Sequence, residues 1–203
     1  MKITVTTGVT VAILAVIGVL SFDTTTDVGY TEGASTSTAE PTQTNTPTGN
    51  TSNLEVTVPA QAPDGQDSAG NPVEYSPEQM FDGDPGTCWR MRGDGSGQYI
   101  QISFSSSQTI TSIGLINGYA KIDPVSGVDR YAQERQITSV SWFFDDGTSL
   151  YQELDPNTEQ LQRIEVGSPI STTTIRMQIS STTLPGDPNY DYTAVSEIDI
   201  ERQ

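Results

Sequence analysis

From Leu54 onward the chain keeps one rhythm: apolar and polar residues alternate at every second position, in short runs broken by Gly, Pro, Asp and Asn. Leu54-Glu55-Val56-Thr57-Val58 sets the pattern, and Pro59 ends the run because proline has no N–H to give a sheet ladder. Tyr99-Ile100-Gln101-Ile102-Ser103-Phe104 alternates in the same way. Ile110 to Ile116 is rich in β-branched residues, and Ile137 to Phe144 puts Val140, Trp142 and Phe144 on one face. Asp145-Asp146-Gly147 has the chemistry of a hairpin turn and leads into Ser149 to Leu154. With Leu161 to Val166, Thr173 to Ile179 and Ala194 to Ile200, about eight strands are predicted. Helical signal is confined to one turn, Tyr75 to Phe81, with Ser76 placed as the cap and Pro77 at the first helical position. The pattern predicts an all-β fold, an antiparallel β-sandwich or jelly roll over residues 54–203.

The preceding residues have a different texture. No charge interrupts Ile3 to Phe22, a stretch which as a helix spans about 30 Å, the thickness of a bilayer's hydrocarbon core. Lys2 before it and Asp23 and Asp27 after it would keep the positive end in the cytoplasm. Residues 1–22 are expected to be a transmembrane anchor or a secretory signal peptide; Val19 and Ser21 are small enough for a cleavage site, but no Ala-x-Ala signal is present. Residues 23–53 are rich in Thr, Ser, Gly, Pro and Asn and poor in large apolar side chains, so a disordered stalk is expected, with Asn50-Thr51-Ser52 as a candidate glycosylation acceptor. These segments place the 54–203 domain outside the cytoplasm, tied to a membrane only through the N-terminal segment.

Composition narrows the chemistry. The 203 residues include no histidine and one cysteine, Cys88, which excludes disulfides within the chain, histidine metal ligands and Ser-His or Cys-His pairs. A net charge of -17 argues against a nucleic-acid partner. Asp82-Gly83-Asp84-Pro85-Gly86-Thr87 concentrates oxygen donors around a glycine that permits a tight bend, which suits either a structural calcium site or a well-capped turn.

Phe81-Asp82-Gly83-Asp84-Pro85 with Thr87 and Trp89 resembles the DGD-x-x-T-x-W signature of discoidin-like, galactose-binding-type β-sandwiches. Four further segments resemble one branch, the NADase-type glycan-binding domain: Gly93-Asp94-Gly95-Ser96-Gly97, Asn117-Gly118-Tyr119-Ala120-Lys121, Asp129-Arg130-Tyr131 with Gln133 and Arg135, and Asp191 to Ile198. The likeness spans roughly Val56 to Glu201; Cys88 stands where alanine is expected, which suggests a buried thiol. The branch takes its name from an enzyme whose catalytic part is separate, and nothing in this chain resembles that part. The resemblance implies a non-catalytic, lectin-like module. It also implies a structural calcium held by Asp82, Asp84, Thr87 and Glu197; the competing reading has Asp82 capping backbone amides and Glu197 pairing with an arginine such as Arg90.

Sugar sites on such sandwiches combine aromatic faces with planar hydrogen-bonding groups. The candidates are Arg90, Arg92, Asn117, Tyr119, Arg130, Tyr131, Arg135 and Tyr192, with Lys121 and Tyr190 nearby in the same loops, while Trp89 and Trp142 sit inside strand patterns and are expected in the core. Residues 54–203 carry 8 basic against 22 acidic groups, a net of -14, so neutral or cation-bridged glycans fit better than long-range attraction to acidic polysaccharides. The expected partner is a glycan or cell-surface polysaccharide. The rival is a structural or protein-binding envelope subunit using the same loops.

Overall fold

Two long strands organise the domain. A computed structural model describes residues 54–203; the expected anchor or signal, the expected stalk and its candidate glycosylation acceptor lie outside the described residues. The strands in chain order are β1 (Leu54–Thr57), β2 (Gly65–Gln66), β3 (Pro72–Val73), β4 (Trp89–Arg92), β5 (Tyr99–Ile116), β6 (Ile137–Phe144), β7 (Ser149–Glu153), β8 (Gln162–Thr182), β9 (Tyr192–Val195) and β10 (Glu197–Arg202). One sheet runs β1-β5-β8-β6-β7, with β10 joining β5, while β4 pairs with β9 and β2 with β3 in separate ribbons. Every one of these pairings is antiparallel.

The strands β5 and β8 each join two segments that read as separate strands. Ser105-Ser106-Ser107 and Gly167-Ser168-Pro169 have turn composition, yet the two strands face each other and bend together. The register of the pair shifts between Ser103 and Gln108 and again between Ile110 and Ser112. The predicted Ala194–Ile200 strand is instead split at Ser196, whose N–H reaches the carbonyls of Ile116 and Gly118. There the chain leaves the β4 ribbon and joins β5. The helical turn is a 3-10 turn, Pro77–Phe81, with Ser76 at the cap position but making no side-chain cap bond.

Period-two alternation decides what is buried. From β5 come Ile100 and Ile102, from β8 Ile175, Met177 and Ile179, from β6 Val140 and Trp142, and all meet Trp89, Met91 and Val195 of the β4–β9 ribbon in one core cluster. Both tryptophans are fully buried, as their pattern predicts, and their N–H groups are answered by Ala60 O at 2.9 Å and Gln152 Oε1 at 3.0 Å. A smaller cluster of Ala62, Tyr75, Cys88, Tyr119 and Ala194 lies apart from this core. Burial pushes the Cys88 thiol well above its ordinary range, so it packs as a small apolar side chain.

Candidate functional site

The connection between β5 and β6 is built around Asn117. Its Nδ2 donates to Ile137 O at 2.7 Å and Asp155 O at 3.2 Å, while its Oδ1 accepts from Tyr131 Oη at 2.8 Å and Gln162 Nε2 at 3.1 Å. With every group engaged and no exposure, Asn117 ties two loops together from beneath the surface. Gly118 is required next to it, because a Cβ there would stand 2.7 Å from the Tyr131 ring. Further along, Asp129 caps the short helix α1 (Arg130–Gln133) by accepting from Ala132 N at 3.0 Å.

These supports frame a cleft of about 140 Å³ whose lining includes Tyr75, Arg90, Tyr119, Lys121, Arg130 and Tyr190 together with Gln66, Asp67 and Asp123. The Arg90 guanidinium lies 3.7 Å from the Tyr75 ring centroid and 4.1 Å from that of Tyr192, held between two aromatic faces. Its Nη1 donates to Glu134 Oε1. Glu134 is completely buried, and desolvation pushes its carboxyl up to about 7 despite the attraction of Arg90. Glu134 Oε2 and Arg90 Nε are buried without hydrogen-bond partners. Tyr119 is 3% exposed and meets Tyr75 edge to face, with centroids 6.3 Å apart.

The structure thus gathers Arg90, Tyr119 and Arg130 of the expected set at the cleft, with Tyr192 beneath Arg90. Arg92 is exposed, 5.4 Å from the same Tyr192 ring. Arg135 is buried and staples loops together, pairing with Asp191 and donating to Thr183 O at 2.8 Å. Tyr131, also buried, points its hydroxyl at Asn117 and Thr158 O and borders a separate open depression of about 670 Å³ with Asp129, Asn157 and Glu159. Tyr75 lines the cleft and Glu134 supports it from beneath Arg90, neither having been singled out from the sequence as a site residue. Tyr75 reads as the start of a helical turn, and Glu134 sits between Gln133 and Arg135 in a segment read for its Arg130, Tyr131 and Arg135.

The Asp-Gly-Asp loop is a second cluster. Asp82 accepts from Asp84 N and from Thr87 Oγ1, each at 2.8 Å, and Asp84 Oδ1 accepts from Gly86 N at 2.8 Å. Gly83 takes φ 78°, the left-handed conformation that the bend needs. Ser196 Oγ donates to Pro85 O at 2.9 Å, fastening the loop to the start of β10. Glu197 is pushed up to about 7, first by burial and then by the neighbouring Asp82 carboxylate. Its Oε1 is buried without a partner, and no arginine or lysine pairs with it among the described residues; Arg90 goes to Glu134 instead. Asp82, Thr87 and Glu197 are therefore brought together, whereas the Asp84 carboxylate turns to its own loop. No group of three or more Cys, Asp or Glu side chains is arranged to hold a metal among the described residues. The unpartnered Glu197 oxygen beside Asp82 is nonetheless the kind of acceptor that a hard dication answers, with the loop's main-chain carbonyls as further oxygen donors.

A family model described as the NAD glycohydrolase translocation F5/8 type C domain matches residues 55–201. No curated protein matches the chain. Among solved structures, the family 32 carbohydrate-binding module of C. perfringens NanJ, in complex with galactose, is similar at 15% identity and TM-score 0.49, covering 72% of this chain and 92% of that one. The family 32 module of Streptococcus pneumoniae EndoD is similar at 12% identity and TM-score 0.47, covering 73% of this chain and 96% of that one.

Proposed function

The chain belongs to the NAD glycohydrolase translocation F5/8 type C domain family, and from this membership and the cleft we propose that residues 54–203 form a non-catalytic glycan-binding module displayed outside the cytoplasm. The observation that supports this reading is the cleft itself: cationic hydrogen-bond donors set among tyrosine rings, in a domain whose other face is sheet. A sugar offers a C–H face to an aromatic ring and oxygens to the surrounding donors. The carboxylates at hand do not suit acid–base work. Asp67 and Asp123 accept bonds from their own loops, and Glu134 is sealed beneath Arg90.

The same reading gives Asp82 and Glu197 to a calcium ion, with Thr87 orienting Asp82. The ion would neutralise two neighbouring carboxylates and tie the loop to β10. A second reading, a protein-binding surface, draws on Ile122, Val125 and Leu184, which are 63%, 64% and 82% exposed.

The test is a glycan-array screen of the full chain with calcium and again with chelator. Selective binding to a sugar class, weakened about fivefold by Tyr190→Ala, is expected, since ring stacking contributes on the order of 1 kcal/mol. A blank array from folded protein would sink the glycan reading and bring the protein-binding one forward.

A further inference from the structure

We propose that the cleft selects one terminal acidic sugar, bearing a carboxylate or a sulfate ester, through Lys121 and Arg130. The inference rests on the glycan reading of the same cleft and names the class of ligand.

The argument is a balance of donors and acceptors. The two carboxylates that line the cleft are already spent on their own surroundings. Asp67 accepts from Ala69 N at 2.9 Å, Asn71 N at 2.8 Å and Asn71 Nδ2 at 2.9 Å, closing the β2–β3 ribbon. Asp123 accepts from Ser68 Oγ at 2.8 Å, Ser68 N at 3.3 Å, Val125 N at 3.1 Å and Ser126 N at 2.9 Å. These bonds, the one from Ser126 N foremost, hold its carboxyl well below the usual range. The donors are in the opposite condition. Lys121 makes no side-chain hydrogen bond or ion pair among the described residues, its ammonium standing 5.8 Å from the Tyr119 ring centroid. Arg130 spends Nη1 on Gln133 at 2.8 Å but reaches Asp123 only at 3.4 Å through Nη2.

A sugar hydroxyl both donates and accepts, so a neutral hexose needs acceptors on the protein as well as donors. In this cleft both carboxylates are engaged by their own surroundings, which leaves the Gln66 carboxamide and the tyrosine hydroxyls as acceptors beside an unpaired Lys121 and an Arg130 that holds Asp123 only at 3.4 Å. The group that answers such a surface is acceptor-only and negative, and a charge-assisted bond to it is about twice as strong as a neutral one. Size sets the other limit. At about 140 Å³ the cleft is smaller than the roughly 300–1,000 Å³ of common ligand pockets, so it admits one ring at a chain end rather than the interior of a polymer. Tyr190, 38% exposed at the rim with the Arg130 guanidinium 5.7 Å from its centroid, offers an aromatic face for that ring. The domain's net charge of -14 does not oppose this, because repulsion from distant carboxylates is screened beyond about 8 Å at physiological salt, whereas contact in the cleft is not.

The experiment is an array of matched pairs probed with the full chain at about 0.15 M salt: uronic acids against their methyl esters, and sulfated hexoses against the unsulfated sugars. The acidic member of a pair is expected to bind at least tenfold more tightly, with the uronate and sulfate arms telling the two anion sources apart. Lys121→Gln is expected to cut that preference at least fivefold. Arg176→Gln removes the same charge from the far sheet face, where the side chain packs on Tyr99, and should leave the preference unchanged. Equal or better binding of the neutral members overturns the acidic-sugar inference and leaves the glycan reading standing. Loss of preference in both variants alike overturns the assignment to this cleft. A blank array from folded protein overturns both readings together.

Discussion

Glu134 and Glu197 sit in separate regions, and both are pushed up to about 7, in each case chiefly by burial. Their neighbours are opposite. Glu134 faces the Arg90 guanidinium, which lowers its affinity for a proton and only partly offsets desolvation. Glu197 faces Asp82 and Asp84, whose charges add to desolvation. A raised carboxyl alone therefore does not distinguish a finished ion pair from a place that wants a cation; the identity of the neighbours does. In the cleft the chain supplies its own counter-charge. Each glutamate keeps one buried oxygen without a partner, but at the Asp-Gly-Asp loop the chain gathers like charges and supplies no counter-charge.

The largest effect should come from removing the counter-charge. Arg90→Ala strips the guanidinium from between Tyr75 and Tyr192 and leaves Glu134 buried alone, at an expected cost of about 3 kcal/mol. The loss should be larger near pH 8 than near pH 5, since at low pH the carboxyl is protonated with or without its partner. Urea unfolding at both pH values checks this, and an equal loss at the two would mean that stacking, not the ion pair, sets the cost.

Supplying a cation to the other region sharpens the contrast. Calcium at a hundredfold excess over its dissociation constant should stabilise the wild-type chain by about 2.7 kcal/mol. Glu197→Gln should abolish the gain, and Glu134→Gln should retain it, as thermal unfolding with calcium and with chelator will read. An unchanged midpoint in the wild type would remove calcium from the loop.

The pH dependence is expected to be smaller. Glu134 has its folded value, about 7, above the ordinary 4.5, so the stability it contributes is complete below 4.5 and is lost as pH rises through 7. Between about pH 5 and pH 8 the wild type should lose about 2 kcal/mol more than Glu134→Gln does. A parallel pair of profiles would show that Glu134 does not titrate in this range.

Much of the fold was legible because strand alternation is a local property. Ile137–Phe144 was read with its observed ends, and the burial of both tryptophans followed from the strands that hold them. What escaped was the continuity of β5 and β8, because Ser105-Ser106-Ser107 and Gly167-Ser168-Pro169 look like turns until each is seen to bend against the other strand. The site was legible as residue types but not as roles. Asn117, Tyr131 and Arg135 have the chemistry of ligand contacts, yet their groups are satisfied by Ile137, Thr158 and Asp191, carbonyl and carboxylate partners 20, 27 and 56 residues away in sequence. Hydrogen bonds at such separations exist only once the sandwich has formed, so residue type alone could not rank these three below Lys121, whose free ammonium is just as invisible in the sequence.

The smallest perturbation bears on how far the Asp-Gly-Asp loop is organised without a metal. Thr87 Oγ1 donates to Asp82 Oδ2 at 2.8 Å and lies 3.0 Å from Asp84 O, so its hydroxyl helps orient the carboxylate that faces Glu197. Thr87→Val keeps the shape and removes the hydroxyl, at an expected cost of about 1 kcal/mol in chelator. If the loop is a cation site, the cost should grow when calcium is present, because a mis-set Asp82 binds the ion less well. If the loop is only a capped turn, the cost will be the same with calcium and without it. Paired unfolding curves of the two proteins therefore separate a turn that happens to be acidic from one built to hold charge.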